Sequence, residues 1–144
     1  MKVHEAMTRD VSLTSPNQSI REAAELMAQQ DIGALPVGED DRLVGMITDR
    51  DIAVRAVARG LGPNTNIRDV MSHDVMYCFD DEDLKDAAVS MGDIKVRRLP
   101  VLNRDKRLVG IIAISDLAQR ADAKKMGQTV ASISAPGGAH SQAH

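Results

Sequence analysis

The sequence predicts an α+β fold made of two copies of one small unit, and three observations carry that prediction. Met7-Thr8-Arg9-Asp10-Val11 returns as Met71-Ser72-His73-Asp74-Val75, and Leu35-Pro36-Val37 returns as Leu99-Pro100-Val101, both 64 residues on. Arg42-Leu43-Val44-Gly45 then returns as Arg107-Leu108-Val109-Gly110, and Asp51 as Asp116, at a separation of 65. Each copy also alternates helical with strand-like patterning, so one supersecondary unit is repeated. The extra residue falls in Asn103-Arg104-Asp105-Lys106, where a hairpin turn tolerates it. With 144 residues, 43% of them apolar, the chain can build a core. A single copy of about 55 residues would be marginal alone, which gives the pairing a physical reason.

The elements follow in order within each copy. Ser19-Ile20-Arg21-Glu22 has the form of a capping box, and Ile20, Ala23, Ala24 and Met27 then fall on one helical face. The second copy places Leu84, Ala87, Ala88 and Met91 in the same pattern, with small alanines that allow close approach to a sheet or a twin helix. Two β-type runs come next: Ile32 to Val37 and Leu43 to Thr48, then Val96 to Leu102 and Leu108 to Ile114, joined through Gly38-Glu39-Asp40-Asp41 and Asn103 to Lys106. A second helix is expected from Asp49 to Arg59, stopping at Gly60, and its counterpart from Ser115 to Ala123. The boundaries are thus 3–60 and 67–123, with a linker at 61–66. Residues 124–144, rich in Ser, Ala and Gly, are expected to be a disordered tail.

Composition removes several functions. Tyr77 and Phe79 are the only aromatic residues, so a platform of stacked rings for bases or sugars is excluded. A net charge of −3 argues against a sequence-independent grip on nucleic acid. The lone Cys78, among apolar neighbours, reads as an inert buried thiol, and a single cysteine is in keeping with a reducing cytoplasm. The start of the chain does not read as a signal peptide. The longest apolar stretch, Leu108 to Ile114, falls well short of the ~20 residues a membrane-spanning helix needs. His4, His73, His140 and His144 read as surface residues, and Asp80-Asp81-Glu82-Asp83 reads as an acidic helix start complementing the dipole. The pattern contains no metal cluster and no nucleophile–base arrangement, so no catalytic residue is assigned.

The segment that carries chemistry is Gly45-Met46-Ile47-Thr48-Asp49-Arg50-Asp51, a strand end running into a helix start. Thr48 is placed as an N-cap, Asp51 could accept from a vicinal diol, and Arg50 could meet a phosphate, which together describe a nucleotide. The same spacing also describes an ordinary capping box. Lys95-Val96-Arg97-Arg98 is the densest positive spot, and strand alternation turns its two arginines to opposite faces.

Two tandem copies, each with a Leu-Pro-Val strand and a Gly-x-x-Thr/Ala-x-x-Asp strand-to-helix segment, resemble a pair of cystathionine-β-synthase (CBS) domains, the regulatory unit called a Bateman module. The resemblance covers roughly Val3 to Ala121. It implies two β-α-β-β-α units with pseudo-twofold symmetry, whose clefts take adenosine nucleotides or related ligands, and assembly as a homodimer. Carried over by residue, Thr48 is the phosphate contact and Asp51 the ribose contact, with Arg50 a phosphate partner. Ala34, Leu35 and Pro36 line the adenine slot. Leu13 to Pro16 and Tyr77 to Asp80 resemble the family's first strand, where Thr14 is the contact. In the second copy Asp116 holds the ribose, Ser115 substitutes for the hydroxyl missing at Ala113, and Arg98 meets a phosphate, so the Asp51 site ranks first. The implied function is a non-enzymatic sensor of AMP, ADP or ATP that needs no obligatory cofactor and signals occupancy to an unknown protein. The alternatives are a structural dimerisation module without nucleotide and a nucleotide-processing enzyme.

Overall fold

The computed structural model describes residues 1–94, 96–120 and 131–133. In chain order the elements are α1 (Val3–Ala6), α2 (Ile20–Gln30), β1 (Ala34–Glu39), β2 (Arg42–Thr48) and α3 (Asp49–Asp51), then β3 (Cys78–Phe79), α4 (Leu84–Ile94), β4 (Arg98–Leu102), β5 (Leu108–Ala113) and α5 (Ile114–Arg120). The helix opened by α3 runs on through a π-helical turn, Ile52–Ala56, and a 3-10 turn, Val57–Arg59. It stops where Gly60 turns left-handed at φ 76, as the sequence predicts. Among the described residues no helix is long and apolar enough to cross a membrane.

The chain divides into two compact units, Ser12–Val75 (the first unit) and Met1–Val11 with Met76–His144 (the second unit). In the first unit β1 and β2 pair antiparallel, from Ala34 opposite Thr48 to Glu39 opposite Arg42. The turn between them is two residues, Asp40 and Asp41, both with positive φ (53 and 62), the geometry that matches the twist of a tight hairpin. Thr14 bridges to Val37 on one side of this pair and Ser72 to Met46 on the other. The second unit repeats the plan: β3 runs parallel to β4, β4 antiparallel to β5, and Thr8 bridges to Ile111. Its hairpin is one residue longer, and Asn103 organises it, with Oδ1 accepting from the amides of Asp105 and Arg107 at 3.0 Å each.

Each outer bridge is reciprocal. Met46 N donates to Ser72 O at 3.0 Å and Ser72 N to Met46 O at 2.9 Å, while Thr8 N and Ile111 N exchange bonds with Ile111 O and Thr8 O at 2.9 Å. The preceding methionine explains why glycine sits on the facing strand. A Cβ built on Gly45 would lie 2.7 Å from Met71 Sδ and 2.8 Å from Ser72 O. One built on Gly110 would lie 2.6 Å from Met7 Sδ and 2.8 Å from Thr8 O. Backbone oxygens cannot yield to a methyl group, so only glycine lets the segment close on the sheet.

The helices lie on the core face of these strands. Ser19 caps α2, accepting from Glu22 N at 3.1 Å, and Asp31 ends it left-handed at φ 54. Ile20, Ala23 and Met27 are buried with Leu35, Val37 and Ile47. Ala24 departs from expectation and is exposed; Leu26, partly buried, packs on the core from the other flank of the stripe. In α4 all four stripe residues are buried, and the second core adds Val3 and Ala6 of α1, a helix the sequence did not announce. Ala23, Ala87 and Ala88 are covered within their own units, Ala23 in the core built on β1 and β2, Ala87 and Ala88 in one that joins α1 and α5 to β4 and β5.

Of the expected disordered tail only Ala131-Ser132-Ile133 is described, and there the expectation fails: the backbone is helical and Ile133 is buried. The rest of the tail, the end of the second copy's last helix and Lys95 lie outside the described residues.

Candidate functional site

Thr48 closes β2 in extended geometry, φ −118 and ψ 161, and the chain turns helical at Asp49. Its Oγ1 accepts from Asp51 N at 3.0 Å, and its own N donates to Asp51 Oδ2 at 3.0 Å, so the capping box is complete in both directions. Asp51 is thereby held with one oxygen committed. Its Oδ1 faces Arg55 Nη1 at 3.9 Å, a loose ion pair, and that same Nη1 donates to Met71 O at 3.3 Å. Next to it, Asp49 N donates to Gly33 O at 2.9 Å, and Asp49 Oδ1 accepts from Arg50 N at 2.8 Å. The Arg50 side chain is exposed. The result is a fixed carboxylate and a hydroxyl at a strand end, with a free-standing guanidinium one residue away.

Strand parity decides which neighbours share this face. Ala34 stands directly opposite Thr48, and Pro36 opposite Met46, on the same side of the sheet. Leu35 pairs with Ile47 on the other side and is fully buried in the core, so its side chain does not join Thr48. Thr14 is the one buried polar residue among those described; it donates through its hydroxyl to Pro36 O at 2.9 Å and through its N at 3.1 Å. Those two bonds fasten the segment before α2 to β1. The structure therefore gathers Thr48, Asp51, Ala34 and Pro36, and places Arg50 at the rim.

The second unit keeps the frame with different side chains. Ala113 N donates to Asp116 Oδ2 at 2.7 Å, half of the same box, and Ala113 has no side-chain oxygen to accept from Asp116 N. Ser115 is exposed, and Asp116 is half-buried. Arg98 stands opposite Ala113, where the first unit has Ala34 opposite Thr48. Arg97, in the bend before β4, is exposed, while Arg98, the first residue of the strand, is half-buried.

Other candidates resolve into structure. Cys78 is buried, and its thiol is pushed up to about 12, first by desolvation and then by the charges of Glu82 and Asp80, so it stays protonated and inert. The acidic run before α4 is internally bonded: Arg104 clamps Asp81 through two bonds of 2.7 and 2.8 Å, Glu82 Oε1 accepts from Phe79 N, and Asp83 Oδ1 from Lys85 N. The Arg104 hydrogen bonds hold the Asp81 carboxyl below its ordinary value. The same guanidinium covers the Phe79 ring at 4.1 Å, and Phe79 meets Tyr77 edge-on at 5.5 Å. Among the described residues no three His, Cys, Asp or Glu side chains come together as metal ligands.

Arg55 is the site residue that spacing analysis passed over. A signal was present, since Asp51-x-x-x-Arg55 returns as Asp116-x-x-x-Arg120, placing a cation one turn after each aspartate.

The CBS domain family model matches the chain twice, at residues 3–57 and 67–122. The chain is 45% identical over 116 residues to the CBS domain-containing protein YhcV of Bacillus subtilis, covering 81% of this chain and 82% of that one. Among solved structures, the CBS domain pair of protein MJ0100 in complex with 5′-methylthioadenosine and S-adenosyl-L-methionine has a TM-score of 0.72 at 28% identity, over 83% of this chain and 94% of that one. CBSX2 in complex with AMP has a TM-score of 0.72 at 27% identity, over 82% of this chain and 93% of the other.

One complete box and one half box make a stability test. Thr48→Ala is expected to cost about 1 kcal/mol in urea denaturation, and Ala113→Thr, which supplies the missing acceptor, to add about 0.5 kcal/mol or more. Equal midpoints for wild type and both variants would show that the boxes do not hold these turns.

Proposed function

The chain belongs to the CBS domain family, and on that premise we propose that it is a regulatory module that binds an adenosine-containing nucleotide and signals its occupancy to another protein. The observation that carries the reading is the reciprocally bonded Thr48–Asp51 pair, which fixes a carboxylate with one oxygen left to a weak 3.9 Å partner. Such a carboxylate accepts both hydroxyls of a ribose at little reorganisation cost. Thr48 and the exposed Arg50 then meet the phosphate. The solved relatives support the choice of ligand: one holds AMP and another 5′-methylthioadenosine and S-adenosyl-L-methionine, compounds whose tails differ and whose adenosine is shared. Ala34 and Pro36, buried on the Thr48 side of the sheet, are the aliphatic side chains assigned to the base, in a first unit that has no aromatic residue.

Both aspartates serve as helix caps, which favours recognition over catalysis as their task. Signalling follows from differential affinity: the ligand shifts the protein toward whichever arrangement binds it better, by no more than that difference. Pairing of two copies belongs to the same proposal. Its support is the apolar edge left by Val54 and Val57 after α3 and by Leu61 beyond it, exposed at 46%, 67% and 41%.

A thermal-shift panel of AMP, ADP, ATP, S-adenosylmethionine and NAD tests the ligand. A binder at 100 times its dissociation constant adds about 2.7 kcal/mol, and Asp51→Ala is expected to remove most of that gain. If none of the five raises the melting temperature, or the rise survives Asp51→Ala intact, the assignment fails. Light scattering tests the pairing: the mass should be twice the chain's 15.6 kDa, and a monomer at micromolar concentration would contradict it.

A further inference from the structure

The two strand-to-helix junctions share a backbone frame and differ in charge. In the first unit Asp49 N donates to Gly33 O and Thr48 N to Asp51 Oδ2; in the second, Ile114 N donates to Arg97 O at 2.9 Å and Ala113 N to Asp116 Oδ2 at 2.7 Å. On this frame Gly33 and Ala34 are replaced by Arg97 and Arg98, Asp49 by Ile114, and Arg50 by Ser115. The first junction therefore carries two carboxylates, Asp49 and Asp51, with Arg50 and Arg55, whereas the second carries Arg97 and Arg98 with the single carboxylate of Asp116.

Arg98 is the cation best placed to use that difference. It is paired in the ladder with Ala113, the residue that lacks the hydroxyl, so its stem leaves the sheet about 5 Å from the vacated position, on the face turned from the core. It is half-buried, and among the described residues it makes no hydrogen bond or ion pair. A guanidinium offers five donors in a fork that fits phosphate oxygens, where a threonine offers a single neutral hydroxyl.

We infer that the Asp116 junction selects the more highly charged ligand, a nucleoside di- or triphosphate over a monophosphate, and that Arg98 is the residue that sets this preference. The inference rests on the nucleotide reading above and adds a division of labour to it: the Asp51 junction, with its extra carboxylate, has no such preference.

Isothermal titration of the full chain with AMP and ATP tests this in an Asp51→Ala background, which leaves the second junction to be read alone. ATP is expected to bind at least about tenfold more tightly than AMP there, the size of one charge-assisted contact. Adding Arg98→Ala should remove the preference, and Arg98→Lys, which keeps the charge without the fork, should restore part of it. Inorganic tripolyphosphate, which has no adenosine, keeps the two readings apart. If AMP and ATP bind but Arg98→Ala leaves their ratio unchanged, the selectivity is wrong and the nucleotide reading stands. Tripolyphosphate binding that depends on Arg98, with no adenosine compound bound, would keep the charge selection and overturn the nucleotide reading. Binding of neither overturns both.

Discussion

Each unit depends on one close approach of backbone to backbone. Met71 and Ser72 lie on Gly45, and Met7 and Thr8 lie on Gly110, at distances that leave no room for a Cβ, and two reciprocal hydrogen bonds fasten each contact. The consequence runs through the whole unit. A two-stranded hairpin alone is marginal in water, and these segments give each hairpin a further partner while Thr14 or β3 supplies another on the opposite side. With its edges covered, the sheet has one face free to receive a helix. Ile20, Ala23 and Met27 fill that face in one unit, and Leu84, Ala87, Ala88 and Met91 in the other.

The functional geometry is inherited from that frame. Once β2 is fixed between β1 and Ser72, the position of its last residue is fixed too, and Thr48 can cap the helix that follows. The cap in turn holds Asp51, and Arg55 ties Asp51 back to the carbonyl of Met71, in the segment that closes the sheet. The π-helical turn after Asp51 widens the backbone where Arg55 sits, a local irregularity of the sort found where a helix serves more than packing. In the second unit the same frame carries Ala113 and Arg98, so a conserved architecture within one chain supports two chemically different junctions.

Much of this was legible in the sequence, because the duplicated segments are the ones that make the frame. The repeat of Met7-Thr8 as Met71-Ser72, the change of separation from 64 to 65, and the glycine at 45 and 110 correspond to the outer bridges, the longer second hairpin and the two close approaches. What periodicity could not give was partnership. The repeats are contiguous in sequence, yet the Ser12–Val75 unit takes its closing segment from the start of the second repeat, and the other unit takes its own from the first eleven residues. No local pattern reports a contact between segments so far apart. Leu35 shows a different limit: grouped with Ala34 and Pro36 by a motif, it is separated from them by strand alternation. Ala24 failed because a 100° stripe has two flanks, and Leu26 occupied the other one.

The central claim is that a nucleotide docks on the Thr48–Asp51 pair. Amide chemical shifts recorded during a titration with AMP test it most directly, because Asp51 N bonds to the Thr48 hydroxyl and Thr48 N to the Asp51 carboxylate. The account predicts that those two amides shift most within Ser12–Val75, with Gly33 and Ala34 following through the Asp49 bond and the strand pairing. Saturating AMP that leaves both amides unmoved, or moves only residues on the core face such as Leu35 and Ile47, would contradict it.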